Sequence, residues 1–253
     1  MKDKILKKFV GLFQYKLVDK KYIKNNRILD EKSFISIERI LKYLIKNKVI
    51  KSLIQIGAND GVRFDSLNAF IKEYKLNCLL VEPIKEHFKD LEKNYAGLDN
   101  IIFENSSISV DNEISHLYKV KEEFLNIYGN HVRGITSFKI DHLIHHGVKK
   151  KHITKQEVAS LSIKELLIKH KFKNFELLFI DAEGYDGKIV NDFLLNNSIR
   201  PYIIFEYIHI DHSTFKIVTD NLTKSKYLFF PVNENLVCIP NEKQDISIFQ
   251  PNL

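Results

Sequence analysis

Along the middle of this chain, short apolar runs alternate with stretches of helical spacing, and that alternation predicts parallel strands joined by helices. Lys51–Ile56 reads as a strand. The helix after it, Arg63–Tyr74, carries Phe64, Leu67, Phe70 and Ile71 on one face. Leu76–Val81, Lys85–Tyr95 and Ile101–Glu104 continue the pattern as strand, helix and strand. Before them, residues 34–48 predict a helix through Phe34, Ile37, Leu41, Leu44 and Ile45. Later, Ile114–Val120 and Val158–Leu161 are short strand candidates, and Ser162 stands three residues before Glu165, a capping box that opens a helix through His170. Strand Leu177–Ile180, helix Lys188–Leu195, strand Tyr202–Phe205 and helix Thr214–Ser225 follow. Tyr227–Phe230 and Leu236–Ile239 close the sheet as a hairpin. The expectation is an α/β fold, doubly wound and mostly parallel, ending in an antiparallel hairpin. Residues 1–48 form a basic helical extension and 49–253 one catalytic domain.

Composition adds bounds. The chain has 253 residues, enough for one full core, with 44% hydrophobic and 28% charged residues, as ordinary globular proteins have. Its two cysteines, Cys78 and Cys238, sit inside apolar runs and read as core residues in a reducing, cytoplasmic compartment. No apolar run reaches the ~20 residues that span a bilayer, and the N-terminus lacks a secretion-signal pattern. Net charge is +7, which favours anionic partners, although lysine, isoleucine and asparagine are abundant throughout. Within residues 1–32, Ile5, Leu6, Phe9, Val10 and Phe13 keep helical spacing among lysines. An arm packed on the domain or on a second subunit, giving a homodimer contact, is preferred over a membrane-surface helix.

The chemistry begins at Gln55-Ile56-Gly57-Ala58-Asn59-Asp60-Gly61, where the first strand stops at two glycines. Strand, glycine turn and helix form the nucleoside-binding corner of a doubly wound sheet. Glu82, about 20 residues beyond that turn, suits ribose hydroxyls and repels a 2′-phosphate. The G-x-x-x-G spacing lacks the third glycine of the dinucleotide turn, so a nucleoside without pyrophosphate fits better, and S-adenosylmethionine is the common one. Further polar strand ends lie at Asn105-Ser106-Ser107, Asp181-Ala182-Glu183 and Glu206.

Together with Val81-Glu82-Pro83, Phe179–Asp186 and Ile203–Glu206 plus His209, the first motif resembles the FkbM-type S-adenosylmethionine-dependent methyltransferases over roughly residues 50–210. The resemblance implies a class I methyltransferase, Rossmann-like fold and O-methylation of sugars, surface-polysaccharide or capsule precursors, or secondary metabolites. It implies that Gly57, Ala58, Asn59 and Gly61 cradle the methionine half, that Glu82 binds ribose, and that Pro83 and Ile84 wall the adenine. Ser106 or Ser107 lies near the adenine edge. Gln55 stands where many class I enzymes keep an acidic residue near the methionine amine, leaving that role to Asp60, Asp65 or Asp181. Asp181, Glu183 and His209 are the candidates for removing the acceptor proton.

Asp181, Glu183, Asp186, Glu206 and His209 could also ligate a divalent metal, but no dedicated spacing such as H-E-x-x-H is present, so a metal is not favoured. Residues 121–157, with Arg133, Thr136, Ser137, His142, His145, His146 and His152, are the candidate acceptor-recognition segment. The expected acceptor group is a hydroxyl or other oxygen of a sugar, a surface-glycan precursor or a phosphorylated small molecule, preferably anionic. Nucleic acid is disfavoured because no base-gripping motif follows the fourth predicted sheet strand. An RNA or DNA methyltransferase and an inactive methyltransferase-like binding protein are the alternatives.

Overall fold

A computed structural model describes residues 35–63, 65–110, 115–128 and 135–243. The lysine-rich residues 1–32, with their arm or membrane reading, lie outside the described residues, as do Phe64 and Arg133.

The first described helix, α1 (Ile37–Lys46), starts where the Ser36 side chain accepts the Arg39 N–H at 3.2 Å. Ile37, Ile40, Leu41, Leu44 and Ile45 are buried and join the core on one face of the main sheet. Strand β1 (Ser52–Ile56) is buried at every position, as a central strand must be. It pairs in parallel with β2 (Asn77–Val81), which pairs with β3 (Ile101–Glu104). On its other side β1 pairs with β8 (Leu177–Ile180), and β8 with β9 (Tyr202–Glu206), both parallel. The closing hairpin, β10 (Tyr227–Val232) and β11 (Asn235–Pro240), runs antiparallel, with β11 inserted next to β9. The seven strands lie in the order β10-β11-β9-β8-β1-β2-β3. The chain order reverses between β1 and β8, and ligands of doubly wound sheets bind beyond the strand ends at that reversal. The doubly wound reading with a terminal hairpin therefore holds, and Cys78 and Cys238 are buried free thiols in its core.

Helices cover both faces. α2 (Asn68–Tyr74) and α3 (Lys85–Asn94) follow β1 and β2. α5 (Ile163–Lys169) opens with the expected capping box between Ser162 and Glu165, and α6 (Asp186–Asn196) and α7 (His212–Lys224) bring Ile189, Phe193, Val218 and Leu222 into the core on the face that carries Ile54, Leu178 and Ile203.

Three local expectations are corrected. The helix placed at Arg63 begins only at Asn68. Asp60 accepts the N–H groups of Val62 and Arg63, and Asp65 accepts that of Leu67, so local side-chain bonds replace the first helical turn. The single strand placed at Val158–Leu161 is two: β6 (Ile153–Val158) pairs antiparallel with β5 (Ser115–Val120), and β7 (Ser160–Leu161) pairs with β4 (Ser107–Ile108). Only the two ends of β6 are buried, so it carries too little apolar pattern to be read from sequence. The described residues within 121–157 also carry more regular structure than an irregular loop. α4 (Ile140–His145) places Leu143 in a separate small core with Val120, Ile135, Val148 and Ile153.

Candidate functional site

A cavity of about 390 Å³ opens beyond the carboxyl ends of β1, β2, β8 and β9. Gly57 sits at its seam. Its φ of +83° is left-handed, and a Cβ there would lie 1.9 Å from the Asp181 carbonyl oxygen. Only glycine lets the ends of β1 and β8 come this close. The Gly57 and Ala58 N–H groups both bond the Val81 carbonyl at 3.0 Å, which ties the turn to β2.

On the β1–β2 side, Glu82 is buried. Its carboxylate accepts the Asn59 N–H at 2.9 Å and the Ile84 N–H at 2.8 Å. Asn59 holds a φ of +49°, a left-handed conformation that asparagine tolerates. Burial pushes the Glu82 carboxyl up to about 7; the two backbone donors oppose it, and the charges of Asp181 and Asp60 add to it. Pro83, Ser106, Ser107 and Ile108 line the same side. Ile84 does not: its side chain packs with Leu117 and Val158, and it serves Glu82 through its backbone.

The structure separates the candidates for the Gln55 position. Asp60 is occupied by the Val62 and Arg63 N–H groups and, at 2.5 Å, by the Arg63 guanidinium. Gly61 faces Leu91 of α3 and Tyr95, which caps that helix. Neither is among the cavity-lining residues. Asp65 is. It accepts the Gln55 side-chain N–H at 3.2 Å, and burial raises its pKa. The other end of that amide, Gln55 Oε1, is buried with no hydrogen-bond partner. An acceptor so placed awaits a donor.

The β8–β9 side is built differently. The turn Asp181-Ala182-Glu183-Gly184 is shaped by Asp186, which is fully buried and accepts the N–H groups of Ala182 and Gly184 at 3.1 Å each. Asp186 is thereby committed to the backbone and is a poor metal ligand. Glu183 is held left-handed at φ +49°, a costly conformation for glutamate, and its side chain enters the cavity. Gly184 follows at φ +91°, and a Cβ there would lie 3.1 Å from the His209 carbonyl oxygen, so the glycine lets the post-β9 loop close in.

Asp181, Glu183, Glu206 and Glu234 all line this end. Asp181 is exposed to the cavity, yet protein crowds around its carboxyl, and this desolvation with the charges of Glu234 and Asp65 raises its pKa to about 6. Burial followed by the Asp181 charge lifts Glu183 to about 8; burial, then Asp181, Glu183, Asp186 and Glu234, lifts Glu206 to about 9. Glu183 Oε2 lies 2.9 Å from His142 Nε2. Burial also lowers the His142 pKa, as it raises that of Glu183, so desolvation disfavours the charged form of both partners. His209 Nε2 lies 3.7 Å from Glu206 Oε1, and burial, then His142 and His146, lower the pKa of its imidazole against the opposing charge of Glu234.

Of the histidine patch, His142 and His146 reach the site. His145 is exposed. His152 stacks on Phe124 at 4.0 Å and meets Tyr128 Oη at 2.6 Å, a structural role. Thr136 lines the cavity, and Ser137 donates to the Glu183 carbonyl. Sequence reading missed Glu234, which lies in an undistinguished turn. It also missed the pairing of His142 with Glu183, which lie 41 residues apart and which no local spacing signals.

The sequence profile of the Methyltransferase FkbM domain matches residues 55–229. No curated protein matches the chain. Among solved structures, a protein described as a caffeoyl-CoA O-methyltransferase from Staphylococcus aureus is similar at 13% identity and TM-score 0.43, covering 93% of this chain and 90% of that one. An O-methyltransferase from Bacillus cereus in complex with SAH is similar at 10% identity and TM-score 0.41, covering 87% and 96%. A ribosomal protein L11 methylase from Lactobacillus delbrueckii subsp. bulgaricus is similar at 12% identity and TM-score 0.38, covering 79% and 74%.

Proposed function

The chain belongs to the FkbM methyltransferase family, and from that premise we propose that it methylates a hydroxyl of a sugar, a surface-glycan precursor or a related small polyol. It is an S-adenosylmethionine-dependent methyltransferase. The residues present fit that cofactor. Glu82 offers a buried carboxylate for vicinal hydroxyls, the orphaned Gln55 Oε1 and the Asp65 carboxylate suit an amino group, and Gly57–Asn59 leave room beside them. When bound, the cofactor supplies a methyl group on a positively charged sulfur.

The observation that carries the hydroxyl reading is the pairing of Glu183 with His142 at 2.9 Å on the wall opposite Glu82. A hydroxyl must lose its proton as its oxygen attacks, and a base works best near the working pH. Glu183, with its raised pKa and its orientation fixed by His142, has that character. His209 and Asp181 flank it on the same wall. Four carboxylates gather here, so the reacting part of the acceptor is uncharged. A phosphate or carboxylate elsewhere on the acceptor would sit toward Arg63, which lines the opposite side. The buried free thiols Cys78 and Cys238 suit a reducing compartment such as the cytoplasm. Among the described residues no helix is long and apolar enough to cross a membrane.

The test is incubation of the full chain with methyl-labelled S-adenosylmethionine and a panel of neutral sugars, uronic acids, sugar phosphates and RNA. Label in a base-stable methyl ether of a sugar is the expected result. Label confined to RNA overturns the acceptor reading, and no saturable heat with S-adenosylhomocysteine overturns enzymatic use of the cavity.

A further inference from the structure

The acceptor end brings together three imidazoles from two separate segments. His142 and His146 stand four residues apart at the end of α4, and His209 comes from the loop after β9. Ring centroids are 4.6 Å apart for His142 and His209, 4.8 Å for His142 and His146, and 5.3 Å for His146 and His209. One nitrogen from each ring lies within 4.8 Å of the others. A second set of donor atoms within the same limit joins His209 to Glu183 and Glu206. Leu143, between the two α4 histidines, anchors the helix in the small core of the excursion. The histidines themselves are not needed to fill that core.

From this convergence we propose that His142, His146 and His209 form a binding site for one divalent transition-metal ion, with Glu206 beside His209 as the carboxylate ligand. Nothing in the family match calls for a metal here, and no single sequence motif announces one, because the ligands come from two distant segments. Imidazole-rich sets select Zn²⁺, Co²⁺ and similar ions over Mg²⁺ or Ca²⁺, which take oxygen ligands. Nitrogens around a tetrahedral ion with bonds of about 2.1 Å stand about 3.4 Å apart. The cluster must therefore close by up to about 1.4 Å, within the reach of side-chain rotation on a loop and a helix end. Two further observations fit. Glu206 Oε2 is buried without a hydrogen-bond partner, so it keeps an open coordination position. The 2.9 Å contact between Glu183 and His142 is the carboxylate–imidazole arrangement that orients a metal-binding histidine.

The role of the ion rests on the hydroxyl-acceptor reading above, although its binding does not. His146 and His209 line the cavity, so a bound ion would meet the acceptor oxygen and lower the pKa of its hydroxyl. The proton would pass to Glu183, and the oxygen would then form its bond to the methyl carbon as the sulfur–carbon bond breaks.

Tag-free protein, stripped with a chelator and dialysed, is titrated with Zn²⁺ by calorimetry and with Co²⁺ by visible absorption, without cofactor or acceptor. One ion per chain is expected, with the intense visible bands of a low-symmetry Co²⁺ site. His146→Ala and His209→Ala should each weaken binding at least about tenfold, while the exposed neighbour His145→Ala leaves it unchanged. Binding of S-adenosylhomocysteine by the same variants verifies that they fold. No saturable metal binding, or binding that survives both His146→Ala and His209→Ala, overturns the site. Metal binding without methyl transfer to any acceptor supports the site and counts against the reaction reading. Methyl transfer without metal binding does the reverse.

Discussion

The two sides of the cavity are built on opposite principles. On the β1–β2 side one carboxylate, Glu82, is fixed by two backbone N–H groups that lie within a few residues of a strand end. On the β8–β9 side Asp181, Glu183, Glu206, Glu234 and three histidines come from four separate segments, and they shift one another's protonation. The first side is a stiff holder whose geometry is set locally. The second is a crowd of titratable groups whose properties exist only in the folded chain. Such a division suits a transferase, in which the cofactor is common to many enzymes and the acceptor is particular to one.

Substitutions should separate the two sides. The largest effect is expected from Glu183→Ala, which removes the candidate base. Methyl transfer to the best acceptor of the panel should fall about 100- to 10,000-fold, while calorimetry shows S-adenosylhomocysteine affinity within about twofold. An equal loss in both measurements would erase the distinction between the sides. Gly57→Ala strikes the seam they share. With its Cβ placed 1.9 Å from a backbone oxygen at a φ of +83°, it should lower unfolding stability by about 3 kcal/mol or more in urea titration.

Glu82→Gln should weaken S-adenosylhomocysteine binding about 10- to 100-fold, the range for hydrogen bonds to a charged partner, and should act on the KM for cofactor rather than on turnover. The wild-type chain carries a related pH signature. Ribose hydroxyls donate to the ionised carboxylate, so affinity should rise as pH passes through about 7 and binding should release a proton below that point. Calorimetry in two buffers of different ionisation enthalpy measures that proton, and an affinity flat with pH would remove Glu82 from the contact. In the unliganded protein the sign is opposite. The folded carboxyl keeps its proton between the usual 4.5 and about 7 when the unfolded one has lost it. The stability due to Glu82 is therefore complete below 4.5 and lost as pH rises to about 7.

The smallest effect is a control. Ser162→Ala removes one half of the α5 capping box, outside the cavity. It should cost about 1 kcal/mol, a Tm shift of about 2–4 °C, with cofactor affinity and transfer rate unchanged.

Where the chain was legible, the reason is local. The buried strands β1, β2, β8 and β9 read as apolar runs, and the capping box at Ser162 and the glycine turn after β1 are written in adjacent residues. Their contribution to the cavity follows from the reversal of strand order. The chain was illegible where neighbours decide. Helix α2 lost its first turn to Asp60 and Asp65, whose bonds to Val62, Arg63 and Leu67 compete with helical ones. Strand β6 exists because β5 offers it backbone partners, although its own residues are mostly polar. Gly61, which the family resemblance placed among the cofactor contacts, and Asp60, one of the candidates beside Gln55, do not line the cavity: Gly61 faces Leu91 and Tyr95, and Asp60 bonds Arg63.

By itself, then, the sequence determined the doubly wound sheet, its closing hairpin, the position of Glu82 and the Asp181-Ala182-Glu183-Gly184 strand end. Each depends on contacts between residues close in the chain or on a hydrophobic period. The tertiary structure alone decided that His142 meets Glu183, that His146 and His209 converge, that Glu234 joins the wall and that Gln55 is left with a buried, unpaired oxygen. Those groups are brought together by the packing of an excursion and a hairpin against the strand ends, and no spacing along the chain encodes a meeting between segments that far apart.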